Sequence, residues 1–177
     1  MNQKELRTLI NRLVLVQMYR VEAYREALET SRQPDLEPFF HESIDSGEKL
    51  IEQLFAQINP LHISETEDTV LPANFQFVWN LLPDALHGHD KDYILNQCLM
   101  AEDQTLRIYR KLIGNTSEVP VSIRRLLTRQ WIILCGAIAC LRRLKSATVG
   151  LLAKPWRATF PIRFLLATGQ RRAIAIR

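Results

Sequence analysis

The stretch DKDYILNQCLMAEDQTLRIYRKLIG, residues 90–114, predicts one long amphipathic helix. Its apolar side chains recur at intervals of three and four residues, which places them on one face of an α-helix. The residues of this apolar stripe are Leu95, Leu99, Leu106, Tyr109 and Ile113. Asp90 is placed to cap the N terminus of the helix, and Gly114 is placed to end it. Glu102 lies in the middle of the stripe, so this helix presents a carboxylate to the protein core.

Three more long helices are predicted around this one from the same apolar spacing. They cover residues 4–31, then 35–58, and finally the segment from Pro120 to Lys145. Asp35 is placed to cap the second of them. The breaks between the first and second helix and between the third and fourth are short, and short breaks between long helices give antiparallel hairpins.

A polar crossover joins the two predicted hairpins. Residues 59–71 are rich in acidic and polar side chains and are bounded by Pro60 and Pro72. Residues 72–88 follow as a shorter segment, predicted to be helical in pieces because Pro83 interrupts it. Two hairpins joined by one long crossover form the ferritin-like arrangement. We therefore expect an all-α fold over residues 1–145: a ferritin-like antiparallel four-helix bundle with a long crossover and a short extra helix between the hairpins.

Residues 146–177 form a basic C-terminal extension to this predicted bundle. They contain six Lys or Arg residues and no Asp or Glu, a charge of +6, and since the whole chain carries +4, the first 145 residues carry −2. The high pI therefore reflects the extension, and no specific nucleic-acid partner is predicted. Apolar residues such as Trp156 and Phe160 lie between its basic residues. The extension either caps one end of the bundle or binds an anionic partner.

Composition gives expectations about location. The first residues carry Lys4, Glu5 and Arg7 where a signal peptide would need an apolar run. The longest apolar run, residues 131–141, is too short to cross a bilayer. The three cysteines form no CxxC pair, which favours reduced thiols in a buried core over a disulfide framework. These features predict a cytoplasmic protein without a transmembrane segment.

Polar residues on the apolar stripes are the candidate functional residues. Glu102 on the third long helix, Gln130 on the fourth and Gln17 on the first each interrupt an apolar face. If the second hairpin turns near residues 116–117, Glu102 lies opposite residue 130 or 131. We therefore expect a buried polar network of Gln17, Glu102, Gln130 and Tyr109 that fixes the register of the helices.

A metal centre is the alternative interpretation of Glu102. Di-iron bundles use a Glu from each of two helices and a Glu-x-x-His motif from each of the other two. The candidate ligands beside Glu102 are Glu22, Glu42 and Glu48 of the first hairpin. No Glu-x-x-His motif occurs in the chain, so a complete di-iron site is not expected. The sequence predicts no cofactor, with iron or manganese at a degenerate carboxylate site as the alternative.

Three stretches resemble an uncharacterised bacterial family of ferritin-like four-helix-bundle proteins, a domain of unknown function. They are RVEAYREALE, WNLLPDALHGHDKDYILNQCLMAEDQTLRIYRKLI and VPVSIRRLLTRQ, and the resemblance covers roughly residues 2–145. Its marks are Trp79, Gly88, the Glu102–Asp103 pair and Tyr109. The resemblance implies an all-helical ferritin-like fold, a cytoplasmic bacterial protein and no assigned reaction.

Three functions remain open at this point. The first is a non-enzymatic bundle that acts as a homo-oligomer or through a protein partner. Its role would be related to stress, as it is for many ferritin-like proteins. The second is a metal-binding protein or weak oxidase built on Glu102 and carboxylates of the first hairpin. The third is an adaptor that binds an anionic partner through residues 146–177. The sequence contains no nucleophile, phosphate-binding or dinucleotide-binding motif, which favours a function without catalysis.

Overall fold

The computed structural model describes residues 3–57, 71–86, 90–114 and 119–149, and these residues form helices and no strand. The helices are α1 (Gln3–Thr30), α2 (Glu37–Phe55), α3 (Ala73–Leu86), α4 (Lys91–Gly114) and α5 (Val121–Val149). The predicted all-α fold is confirmed, including the short extra helix, α3, between the two hairpins. No helix in the described part of the chain is long and apolar enough to cross a membrane.

The four long helices pack as two hairpins, α1 with α2 and α4 with α5, and α2 also contacts α5. Side chains across α1 and α4 show that these two helices are antiparallel: Gln17 contacts Tyr109, and Arg20 contacts Glu102. Since each hairpin is itself antiparallel, α2 and α4 run in the same direction. The connection between them must therefore return along the length of the bundle, and it contains α3.

The short helix α3 packs against α1 and α4. The ring of Phe75 contacts Tyr19, and that of Trp79 contacts Tyr24, with ring centroids 6.2 and 5.4 Å apart. The prediction that Pro83 breaks this segment is wrong, because α3 continues through Pro83 to residue 86. Pro83 lies in the last turn of the helix, where one missing N–H removes one hydrogen bond and the helix ends soon afterwards.

One of the two predicted N-terminal helix caps is present in the structure. Asp90 caps α4 as predicted, since its Oδ1 accepts a hydrogen bond of 2.8 Å from the backbone N–H of Tyr93. Asp35 does not cap α2, which begins after Leu36 without a side-chain cap. The Asp35 carboxylate instead pairs with Lys91 at the start of α4. This ion pair therefore links the turn of the first hairpin to the second hairpin.

A glycine sets the close approach of α1 and α2. A Cβ atom added at Gly47 would overlap Cγ2 of Val21 and would lie 3.3 Å from Nη1 of Arg20. Because real Cβ atoms do not approach this closely, only glycine fits at this point of the helix pair. The same close approach brings the α2 backbone within reach of the Arg20 side chain.

The last helix passes the end of the predicted bundle domain. The sequence predicts that the bundle domain ends at residue 145, whereas α5 continues to Val149. Most of the predicted extension, residues 150–177, lies outside the described residues. Residues 58–70, which hold most of the predicted crossover, also lie outside them.

Candidate functional site

The centre of the bundle contains a buried ion pair between α1 and α4. Nε of Arg20 lies 2.8 Å from Oε1 of Glu102, and the two side chains are 1% and 0% exposed. The same guanidinium donates through Nη1 to the backbone carbonyl of Ser43 at 2.8 Å and to Oγ of Ser46 at 3.4 Å. Arg20 thus connects α1, α2 and α4 at one level of the bundle.

Small residues on α2 make room for this guanidinium. Ser43, Ser46 and Gly47 lie on the side of α2 that faces Arg20. The Ser43 carbonyl also accepts a hydrogen bond of 3.0 Å from Oγ of Ser46, so it has two side-chain donors. A guanidinium has five N–H donors, and a buried one is stable only if most of them find acceptors. The small side chains of α2 expose the backbone oxygen that provides one.

Tyr24 completes the cluster one turn along α1 from Arg20. Its hydroxyl donates a hydrogen bond of 2.9 Å to Oε1 of Glu102, the oxygen that also binds Arg20. The guanidinium carbon of Arg20 lies 5.4 Å from the centre of the Tyr24 ring. Burial and then the neighbouring charge of Glu102 raise the pKa of Tyr24 well above its ordinary value. Tyr24 therefore remains a neutral phenol and a hydrogen-bond donor at physiological pH.

A second polar layer connects four helices beside the ion pair. Nε2 of Gln17 donates to the Tyr109 hydroxyl at 3.0 Å, and this hydroxyl donates to Oε1 of Gln130 at 2.8 Å. Nε2 of Gln130 then donates to the Leu50 carbonyl at 3.1 Å and to Oε1 of Gln53 at 3.3 Å. Burial raises the pKa of Tyr109, so it too stays protonated and can donate. This chain of hydrogen bonds links α1, α4, α5 and α2.

The structure divides the four expected network residues between these two layers. Gln17, Glu102, Tyr109 and Gln130 are all buried. Gln17, Tyr109 and Gln130 share the second layer, while Glu102 accepts hydrogen bonds from Arg20 and Tyr24. The sequence predicts Gln130 opposite Glu102. In the structure, Gln130 accepts its hydrogen bond from Tyr109, which lies two helical turns beyond Glu102 on α4. The midpoint between the end of α4 at Gly114 and the start of α5 at Val121 lies about one residue later than assumed, which shifts the partner of Gln130 toward Tyr109.

The carboxylates suggested as metal ligands lie apart from Glu102. Glu22 and Glu48 lie on the outer surface of the first hairpin, where both pair with Arg25. Glu42 is half-buried on α2, and its charge adds to the rise in the pKa of Cys140 that burial mainly causes. Within the described residues, no group of three or more His, Cys, Asp or Glu side chains is arranged to hold a metal ion.

The groups that surround Glu102 do not fit a metal ion. Its nearest partners are a guanidinium and a phenol, which donate hydrogen bonds to it and compete with a cation for the same oxygen. Arg20 already provides the positive charge that a buried carboxylate needs. A metal at this position would have to displace the arginine.

The thiol nearest to this cluster is Cys98, one turn before Glu102 on α4. Burial and then the charge of Glu102 raise the pKa of Cys98, so the thiolate is disfavoured. Burial also raises the pKa values of Cys135 and Cys140. Since the thiolate is the reactive form of cysteine, these side chains have the character of core residues rather than of nucleophiles.

Arg20 and Tyr24 are site residues that the predicted polar network does not include. Both lie on the α1 stripe with Leu13 and Gln17, at steps of three and four residues. An arginine at such a position points into the core, and a buried arginine requires a carboxylate. The signal was therefore present, because Glu102 is the carboxylate at the centre of another apolar stripe.

A family model described as "Domain of unknown function (DUF2383)" matches residues 4–115. The chain belongs to this family. The match covers α1–α4 and ends before α5, so it is shorter than the resemblance seen in the sequence, which extends to residue 145. Searches of curated proteins and of solved structures gave no match.

Proposed function

We propose that this protein is a non-enzymatic, ferritin-like helical bundle that acts as a homo-oligomer, and that a second copy binds the exposed apolar face of α3 and α4. The observation that carries the proposal is a group of large apolar side chains left in solvent on these two helices. The group consists of Phe77, which is 64% exposed, Met100 at 52%, Tyr93 at 42% and Leu81 at 37%. We call it the α3–α4 face.

Helix geometry places these side chains along a common groove. Asn74 of α3 contacts Gln104 of α4 through their side-chain amides at 3.5 Å, which fixes the register of the two helices. Phe77 and Leu81 follow Asn74 by three and seven residues, so they continue its side of α3. Met100 precedes Gln104 by four residues on the antiparallel helix. The apolar side chains therefore line both sides of the groove beyond the amide contact.

Charge supports a second copy as the occupant of the α3–α4 face. The only ionisable residue in α3 is Asp84, near its C-terminal end. The α3 half of this face therefore adds little repulsion between like charges when two copies meet about a two-fold axis. Association of this kind would remove the exposed aromatic and aliphatic area from water, which is the main driving force of protein assembly.

The polar interior supports a structural role over a catalytic one. Within the described residues, Arg20, Tyr24, Tyr109, Gln130 and Oε1 of Glu102 bind one another or the backbone, and these bonds hold helices together, while Oε2 of Glu102 has no hydrogen-bond partner. Buried networks of this kind specify helix register. A metal analysis of the purified protein tests the alternative directly: iron or manganese bound stoichiometrically, and lost in a Glu102→Ala variant, would replace this proposal with the metal-binding one.

Oligomeric state tests the proposed association. We expect the full chain to be a dimer in sedimentation or light-scattering measurements, and a Phe77→Ser/Met100→Ser variant to be monomeric with unchanged helical content. The matched control is Val121→Ser, because Val121 is 55% exposed but lies on α5. This variant should remain a dimer. A wild-type protein that is monomeric at all concentrations, or a double variant that still dimerises, would refute the proposal.

A further inference from the structure

The C-terminal third of the chain has a charge unlike the rest. Residues 119–177 contain twelve Lys or Arg residues and no Asp or Glu. Since the whole chain carries +4, residues 1–118 carry −8. All of α5 belongs to the positive part, and its basic residues are Arg124, Arg125, Arg129, Arg142, Arg143 and Lys145. The bundle is thus strongly polarised, with the positive charge concentrated on one helix and on the residues that follow it.

The outer side of α5 combines this charge with apolar residues. Ile132 is 49% exposed, and Gly136 and Ala139 follow at steps of four and three residues, half-buried and exposed respectively. Exposed arginines lie at both ends of this apolar centre, Arg125 and Arg129 before it and Arg142 and Arg143 after it. The distance from Arg125 to Arg143 is about 27 Å along the helix. We call this surface the α5 outer face.

We propose that the α5 outer face binds the surface of an anionic lipid bilayer. Basic side chains at both ends would contact lipid phosphates, while Ile132 and its small neighbours would enter the boundary between headgroups and acyl chains. The proposed contact lies on the bilayer surface and does not cross it. The proposal is independent of self-association, which concerns α3 and α4.

Charge disfavours two basic segments of a second copy as the partner of this face. A second α5 would bring arginines against arginines, and residues 150–177 are equally free of acids, so both would be repelled. A nucleic acid would satisfy the arginines, but it would leave the exposed aliphatic centre of the face without a role. An anionic bilayer offers negative charge at its surface and apolar material just below it, as this face requires.

Binding to vesicles tests the proposal with the full chain. The probes are vesicles of phosphatidylglycerol and phosphatidylcholine in equal parts, compared with phosphatidylcholine alone, at low salt and at about 0.5 M salt. We expect the chain to sediment with the anionic vesicles only and to be released in part by salt. A basic residue near such a surface contributes about fivefold to binding. Arg125→Glu/Arg129→Glu should therefore weaken partitioning at least tenfold.

Matched variants separate the face from general charge effects. Lys49→Glu/Arg32→Glu makes the same change in net charge at two exposed positions outside α5, and it should retain most of the binding. Ile132→Ser should reduce the binding that survives at high salt, since that part depends on apolar contact. Circular dichroism confirms that each variant is folded, which is expected for exposed positions.

Other outcomes would overturn the proposal. Equal loss in the Lys49→Glu/Arg32→Glu variant would show that only net charge matters. Unchanged binding of the Arg125→Glu/Arg129→Glu variant would place the contact outside α5. A third outcome is that the protein binds neither kind of vesicle but binds a duplex oligonucleotide. If the Arg125→Glu/Arg129→Glu variant loses that binding, the α5 outer face recognises a nucleic acid and not a bilayer.

Discussion

The buried pair of Arg20 and Glu102 gives the sharpest test of how this bundle is held together. In an Arg20→Met variant, the carboxylate of Glu102 stays in the core without the guanidinium that lies 2.8 Å away. Removing one partner of a buried ion pair typically costs about 3–5 kcal/mol. The variant also loses the hydrogen bond to the Ser43 carbonyl. We therefore expect the free energy of unfolding to fall by about 4 kcal/mol.

The double variant Arg20→Met/Glu102→Leu should be much less damaging than this. It removes both charges, and the Ser43 carbonyl keeps its hydrogen bond from Ser46. The main loss is the acceptor of the Tyr24 hydroxyl, worth about 1 kcal/mol or somewhat more. Oε2 of Glu102 accepts no hydrogen bond from the described residues, so little else is given up. We expect the double variant to lose about 2 kcal/mol, at least 2 kcal/mol less than the sum of the single variants.

Urea unfolding followed by far-ultraviolet circular dichroism measures these differences. The matched control is Arg25→Met, five residues further along α1, because Arg25 is half-exposed and pairs with Glu22 and Glu48 on the surface. Its cost should be below about 1 kcal/mol. If the Arg20→Met and Glu102→Leu costs simply add, or if Arg20→Met costs no more than the control, the pair does not hold the bundle together.

Two further predictions concern packing and pH. Gly47→Ala should lower the free energy of unfolding by about 1–3 kcal/mol, because the added methyl group overlaps Val21. Gly114→Ala is the control: open space surrounds the added atom, so the free energy of unfolding should be unchanged or slightly higher. Equal effects of the two substitutions in urea unfolding would contradict the close approach of α1 and α2. The raised pKa values of Tyr24, Tyr109 and Cys98 mean that the unfolded chain loses these protons near the ordinary values of 10.0 and 9.0 while the folded protein keeps them. The free energy of unfolding should therefore fall as the pH rises above about 9, by up to about 1.4 kcal/mol per pH unit for each group. Tyr109→Phe removes one of these groups and should make the fall shallower. A urea unfolding midpoint that does not change up to pH 11 would refute this prediction.

Much of the fold could be predicted from the sequence because helix formation and apolar periodicity are local properties. The stretch from Asp90 to Gly114 contains its own cap, its own stripe and its own end, and α4 forms there as expected. The burial of Glu102 and Gln130 also follows from their places on apolar stripes, since a helix that packs by its stripe buries whatever lies on it.

Pairing between helices could not be predicted in the same way. Each helix fixes which side chains face the core, but the level at which two helices meet depends on where the turn between them begins and ends. In the second hairpin, Gln130 binds Tyr109, which lies two helical turns from the predicted partner Glu102. Because one helical turn contains only 3.6 residues, a change of a few residues in the level at which two helices meet moves the contact by a full helical turn.

The sequence by itself determined the all-α fold, where the long helices lie and that Gln17, Glu102 and Gln130 enter the core. Only the tertiary structure decided that Arg20 binds Glu102, because this contact needs α1, α2 and α4 to converge. It depends on Gly47, which lets α2 approach α1, and on the Ser43 backbone carbonyl, which accepts a second bond from the guanidinium. A buried charge is stable only when several groups from distant parts of the chain surround it, and only the folded chain brings those groups together.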